Sequence, residues 1–189
     1  MRFKGNLIFV RHGETDWNAT ERIQGRKDIP MNARGHGQAR EVGRQLRADG
    51  INVGIILTSS LARAEQTARI LAGAIGLSEN RLFVDERMTE CAFGRLEGMT
   101  RDEVETEHPG LIWYVHGAPY DFAPFGGEHR DQVIARQVEA IEHYAYLIEG
   151  VKREALLLVG HGRALGSLQS HLGMPRQLLQ GTYFSYFFP

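Results

Sequence analysis

An arginine, a histidine and a glycine stand side by side at Arg11-His12-Gly13, directly after the apolar run Leu7 to Val10. This set has the chemistry to move a phosphoryl group. A planar guanidinium offers paired donors to phosphate oxygens. A neutral imidazole attacks phosphorus when a backbone acceptor holds its other ring nitrogen. Gly13 lets backbone approach a ligand with no Cβ in the way. Taken alone, the tripeptide reads more simply as a strand end with a surface arginine and a capping histidine.

Two further segments have the same character. In Ser59-Ser60-Leu61-Ala62-Arg63-Ala64-Glu65-Gln66, Arg63 falls in the first turn of a helix. A cation there opposes the positive end of the macrodipole unless an anion is bound nearby. In Gly160-His161-Gly162-Arg163, a second histidine lies close to backbone on both sides, placed to donate to a phosphoryl oxygen. The plain alternatives are a solvated helical arginine and a loop histidine. A leaving alkoxide also needs a proton donor. Glu86, Glu90 and Glu97 are candidates, and spacing does not choose among them.

The elements around these segments explain why they should meet. Short apolar runs without polar alternation occur at Leu7–Val10, Ile55–Leu57, Arg81–Val84, Ala155–Val159 and Tyr183–Phe188, as expected of buried strands. The last, aromatic run suits an edge. Between the runs, apolar residues recur at helical spacing: Ala39, Val42, Leu46; Ala64, Ala68, Leu71, Ile75; and Ile134, Val138, Ile141, Ala145, Ile148. Thr100 with Glu103 forms a capping-box pattern. A helix beginning near Ala164 should break at Gly173 and Pro175. Alternating strands and helices predict an α/β fold: a doubly wound, mostly parallel sheet flanked by helices. Sites in such sheets lie beyond the carboxyl ends of the strands. Arg11-His12-Gly13, Ser59-Ser60 and Gly160-His161-Gly162 all follow strands.

Composition narrows the function. The 189 residues are 42% hydrophobic, enough for one domain over 1–189 with a full core. Lys+Arg number 22 and Asp+Glu 23, so the basic excess of a nucleic-acid binder is missing. Positive potential must be local. The lone Cys91 allows no disulfide within the chain and reads as a core thiol. The eight histidines show no tight ligand spacing, so neither a metal nor another cofactor is expected. Leu7–Val10 is too short for a signal-peptide core, and no run approaches membrane-spanning length. A cytoplasmic protein free of membrane and nucleic acid is expected, with a homodimer left open.

Several motifs then join into one resemblance. Arg11-His12-Gly13-Glu14-Thr15 with Asn18 resembles the signature of the histidine phosphatase superfamily, the phosphoglycerate mutase-like family. Asn32-Ala33-Arg34-Gly35-His36-Gly37-Gln38-Ala39 resembles its next motif, and Ser60 to Ala68 its second arginine motif. Thr89 to Gly98 resembles its acid segment, Gly126-Gly127-Glu128 its glycine loop, and Gly160-His161-Gly162 its second histidine. Order and spacing hold from about residue 6 to about 188. The resemblance implies that His12 takes the phosphoryl group as phosphohistidine. It implies that Arg11, Arg63 and His161 bind the phosphoryl oxygens with help from Asn18, and that Glu90 is the general acid. Gln24 and Gly25 match positions on the substrate side, and Gly162 accompanies the second histidine. The implied substrate is a small phosphorylated metabolite.

The chain also departs from the family pattern. His129 replaces the usual serine after Gly-Gly-Glu, which puts a phosphate contact there in doubt. Thr89 replaces an arginine before the acid. Arg163 follows Gly-His-Gly, where it would add a cation near the mouth. Asn32-Ala33-Arg34 changes the entry to a helix, a structural change. Trp113, Tyr114, Tyr120, Phe122 and Phe125 form an aromatic cluster, read both as a packed subdomain and as a cap inserted at about 99–127. The segment from Gly98 to Gly126 is short, and the chain stops at Pro189. A mutase needs a deep enclosure that keeps water from its phosphohistidine, so phosphate monoester hydrolysis is expected ahead of mutase-type transfer. A non-catalytic phosphate- or protein-binding module is the rival from another class.

Overall fold

Successive residues of the central strands are apolar and point to opposite faces, so the sheet must be covered on both sides. The computed structural model describes residues 5–111, 120–148, 154–174 and 180–188, the last five as backbone only. Among these residues, five strands form one sheet in the order β3-β2-β4-β1-β5. They are β1 (Gly5–Arg11), β2 (Val53–Thr58), β3 (Leu82–Val84), β4 (Ala155–Gly160) and β5 (Tyr183–Phe188). The first four are mutually parallel, and β5 runs antiparallel at the edge beside β1. This is the expected α/β architecture, with the aromatic run at an edge.

Strand alternation sorts the core into two layers. Leu7, Phe9, Ile55, Leu57, Leu156 and Leu158 meet helices α5 (Arg130–Ala145) and α6 (Gly162–His171). Ile8, Val10, Ile56, Leu157 and Val159 meet α2 (Ala33–Ala48) and α3 (Ala62–Ile75) on the other face. A third cluster stands apart from the sheet layers. It joins Ile23, Cys91, Phe93, Leu96, Val104, Tyr120, Phe122, Val133 and Ala164. Cys91 is fully buried there, as expected. Tyr120, Phe122 and Phe125 belong to this packing. Trp113 and Tyr114 lie outside the described residues, as does part of the 99–127 segment.

Helix entries, from the short α1 (Asp16–Ala19) onward, follow local chemistry. Asn32 Oδ1 accepts from Gly35 N at 2.9 Å, so the altered entry at Asn32 caps α2. Thr100 and Glu103 close the capping box of α4 (Arg101–Glu107). Two boundaries differ from the sequence reading. The last helical repeat was expected to reach Ile148, but α5 ends at Ala145. Leu147 N and Ile148 N bond three residues back, tightening the chain into turns. Helix α6 starts at Gly162, two residues before Ala164.

Candidate active site

Three parallel strands end side by side, and each feeds the same place. Arg11, the last residue of β1, pairs in register with Gly160, the last of β4. Thr58, the last of β2, pairs with Val159. The chain therefore leaves the sheet at His12, His161 and Ser59 along one line. His12 N donates to Gly160 O at 2.9 Å, and the two imidazole centroids are 5.3 Å apart. Both rings are buried.

His12 Nδ1 lies 2.7 Å from Gly13 O. A carbonyl only accepts, so Nδ1 carries the proton and Nε2 keeps its lone pair. Gly13 is fixed in turn by donating to Thr67 Oγ1 at 3.1 Å. A Cβ on it would collide with Gly35 O and Met31 Sδ. Burial pushes the His12 pKa well below the ordinary imidazole range; Arg63 and Arg11 add to that, and the bond to Gly13 O opposes it. The ring is therefore neutral at neutral pH. His161 is lowered well below the ordinary range as well, first by burial and then by Arg63.

Arg63 is only 1% exposed. Its guanidinium donates to Lys27 O and Gly25 O, both at 2.8 Å. Those carbonyls offset the conflict with the positive end of α3. Burial lowers its pKa to about 10, which leaves it cationic at neutral pH. Among the described residues its Nε has no partner, nor has Arg11 Nε, nor either ring nitrogen of His161. Buried polar atoms left unpaired are costly and call for a reason. A ligand rich in acceptor oxygens supplies one for the N–H donors among them, one on each arginine and one on neutral His161.

Glu90 closes the group. Its carboxylate accepts from Cys91 N at 2.9 Å, Arg163 N at 3.1 Å and Ala164 N at 2.8 Å. It thus occupies the N-terminal end of α6, which has no cap of its own. Glu86 is exposed, and Glu97 is spent on Phe93 N and Arg26 N. Of the three glutamates, Glu90 alone lines the cavity of about 300 Å³ that also holds Arg11, His12 and Arg63. A neutral imidazole, fixed cations and a buried carboxyl around one cavity suit phosphoryl transfer. Among the described residues, no group of three His, Cys, Asp or Glu is placed to hold a metal ion.

A sequence model of the histidine phosphatase superfamily (branch 1) matches residues 7–184. The chain belongs to the histidine phosphatase superfamily. Members of this superfamily transfer phosphoryl groups, and this chain is a phosphoryl-transfer enzyme of that kind. Similar relatives carry the name "Probable phosphoglycerate mutase GpmB". The one from Enterobacter sp. (strain 638) is 41% identical and the one from Salmonella paratyphi A 38%, each over 170 residues. Those matches span 89% of this chain and 75% of each relative. Among solved structures, mycobacterial glucosyl-3-phosphoglycerate phosphatase in complex with VO3 aligns with a TM-score of 0.82 and 28% identity. That alignment covers 96% of this chain and 90% of the other. A variant of the phosphoserine phosphatase of Entamoeba histolytica, bound to phosphoserine, aligns at 0.73 and 27%, covering 97% and 91%.

The histidine phosphatase fold brings most of the expected residues together. Arg11, His12, Asn18, Gln24, Gly25, Arg63 and Glu90 line the cavity. His161 is not on the cavity wall, and its ring is tilted by 56° to that of His12 with centroids 5.3 Å apart. Gly162 is not on the cavity wall; it lies under Arg11, and a Cβ there would be 3.2 Å from Arg11 Nε. Asn18 spends its amide oxygen on Thr15 N and on the Gln180 side chain. Ser59 and Ser60 do not line the cavity; Ser59 Oγ instead accepts from Leu61 N at the start of α3. His129 caps α5, with Nδ1 accepting from Asp131 N at 3.2 Å, and it too is absent from the cavity wall.

Arg163 corrects the expectation of a cation at the mouth. Its guanidinium lies 4.9 Å from the Tyr120 ring centre and 5.6 Å from those of Phe93 and Phe122. Arg163 N donates to the Glu90 carboxylate, and its side chain lies over aromatic faces of the third cluster. Sequence reasoning missed Trp17, Arg22, Phe93, Arg101 and Gln180, which also line the cavity. Arg101 had a signal: like Arg63, it is a cation in the first turn of a helix. Gln180 had none, since only the tertiary fold carries it to Asn18.

Proposed function

We propose that this chain hydrolyses small phosphate monoesters through a phosphohistidine on His12. The observation that carries the reading is the set of buried atoms unpaired among the described residues, Arg11 Nε, Arg63 Nε and the His161 ring nitrogens, beside a histidine whose Nε2 is free to attack. His12 Nε2 forms a bond to phosphorus as the bond from phosphorus to the ester oxygen breaks. Glu90 gives its proton to the departing alkoxide. Arg11, Arg63 and His161 hold the phosphoryl oxygens as charge redistributes. Water then attacks the phosphohistidine, Glu90 takes a proton from it, and the P–N bond breaks. Inorganic phosphate leaves, and neutral His12 returns.

The close alignment with a phosphatase over nearly the whole of both chains supports hydrolysis. Arg22 and Arg101 on the cavity wall suit a substrate with an acidic group beside its phosphate ester. Glucosyl-3-phosphoglycerate and phosphoserine, named for two similar structures, both carry a carboxylate. The third cluster, Phe93 with Tyr120 and Phe122, forms the base of a cap over the substrate's organic part in this reading.

Phosphoglycerate mutase activity is the second reading, favoured by the names of the relatives at 41% and 38% identity. The deciding experiment supplies 3-phosphoglycerate with a bisphosphoglycerate primer and follows 2-phosphoglycerate and inorganic phosphate together. Phosphate release should dominate, and a panel of other phosphate esters should be hydrolysed. Isomerisation far ahead of phosphate release, with the panel hydrolysed slowly, would make the chain a mutase.

A further inference from the structure

Glu90 sits in a stretch with no regular structure of its own, Thr89 to Phe93, between two short 3-10 turns. A proton donor has to be held to a fraction of an ångström, so a loop that carries one must be fixed from outside. Three backbone N–H groups orient the Glu90 carboxylate. They do not fix the loop's own carbonyls.

Arg136, in the middle of α5, does that. Its Nη1 donates to Arg87 O at 2.6 Å and Thr89 O at 2.7 Å, and its Nη2 donates to Glu90 O at 2.9 Å. Nε and Nη2 also donate to the two oxygens of Glu128, at 3.0 and 3.1 Å. Those bonds use all five donors of a guanidinium. Glu128 returns to the same loop by accepting from Ala92 N at 2.9 Å, and Arg26 pairs with its other oxygen at 2.8 Å. The acid loop is thus held by carbonyls on one side of Glu90 and by an amide on the other. Both side chains of the pair are largely buried, and neither lines the cavity.

We propose that Arg136 is a positioning residue for the reaction: it fixes the backbone of residues 87–90 and acts on substrate only through Glu90. The inference rests on the reading of Glu90 as proton donor. It also accounts for Thr89, which leaves the loop without an arginine of its own just before the acid. A lysine at 136 would present one ammonium in place of a planar fork, too few donors for three carbonyls and a carboxylate.

The test compares kcat/KM on an alkyl phosphate, phosphoserine, and an aryl phosphate, p-nitrophenyl phosphate, whose leaving group needs little proton help. The proteins are wild type, Glu90→Gln, Arg136→Ala, Arg136→Lys and the two double variants, each checked by thermal melting. Arg136→Ala should lose roughly tenfold more activity on the alkyl than on the aryl ester, in the same sense as Glu90→Gln. The double variant should show no selective loss beyond that of Glu90→Gln. Arg136→Lys should fall between wild type and Arg136→Ala, and it carries the comparison if the alanine variant does not fold. Equal losses on the two esters for the Arg136 variants, beside a selective Glu90→Gln, would overturn the inference alone. So would selective losses that multiply in the double variants. Equal losses for Glu90→Gln would overturn the proton-donor reading, and the inference with it.

Discussion

At the residue scale, burial does much of the electrostatic work. His12 stays neutral first because it is out of water and then because Arg63 and Arg11 face it. A neutral ring with Nδ1 tied to Gly13 O has one nitrogen left for phosphorus. His12→Ala should therefore lower kcat by several orders of magnitude, and mass spectrometry after an acid-free rapid quench should find the phosphoryl group on His12. Near-normal activity in that variant would remove the mechanism. The same burial predicts a pH effect on stability. An unfolded histidine titrates at about 6.5, whereas folded His12 and His161 lie well below the ordinary range. Between those values the unfolded chain binds more protons, so stability is highest above about pH 6.5 and falls as pH drops below it. Each histidine contributes up to ~1.4 kcal/mol per pH unit. Urea midpoints of wild type and His161→Gln, measured between pH 7.5 and 5.5, should show a shallower fall in the variant. Parallel curves would contradict the assignment.

At the element scale, helix entries place the site's polar groups. Helix α6 begins against the Glu90 carboxylate, and α3 begins with Arg63 turned back onto two carbonyls. Helix α4 presents Arg101 from its first position, behind the box formed by Thr100 and Glu103. Thr100→Ala should cost about 1 kcal/mol of unfolding free energy, readable in urea denaturation. A cost below about 0.3 kcal/mol would mean that packing of Val104, not the cap, holds this helix.

At the scale of the whole molecule, the net charge of −1 coexists with a cavity lined by Arg11, Arg22, Arg63 and Arg101. Concentrating cations at one spot lets a nearly neutral protein bind an anion without a general affinity for polyanions. In the proposed mechanism, fixed guanidinium groups neutralise the transferring phosphoryl group as a metal ion does elsewhere. Dialysis against EDTA should accordingly leave phosphoryl-transfer activity intact. A loss restored specifically by Mg²⁺ or Zn²⁺ would refute this.

The sequence by itself determined the strand runs, most helix faces and the three glycine-flanked or helix-opening segments, because each rests on local spacing and local backbone chemistry. Arg11-His12-Gly13, Arg63 and Gly160-His161-Gly162 were legible for that reason: each breaks a local rule where a strand ends or a helix starts. Tertiary structure decided what depends on distant chain segments. It put Glu90, the acid that the family resemblance implies, on the cavity wall and against the N-terminal end of α6 from 73 residues away, and left Glu86 and Glu97 off that wall. It turned Arg163 inward onto Tyr120, made His129 a cap, and carried Gln180 to Asn18 across 162 residues. It also brought Arg136 to the acid loop, where all five guanidinium donors find acceptors. A side chain's neighbours across such separations are set by how strands order and helices pack, which residue spacing does not encode.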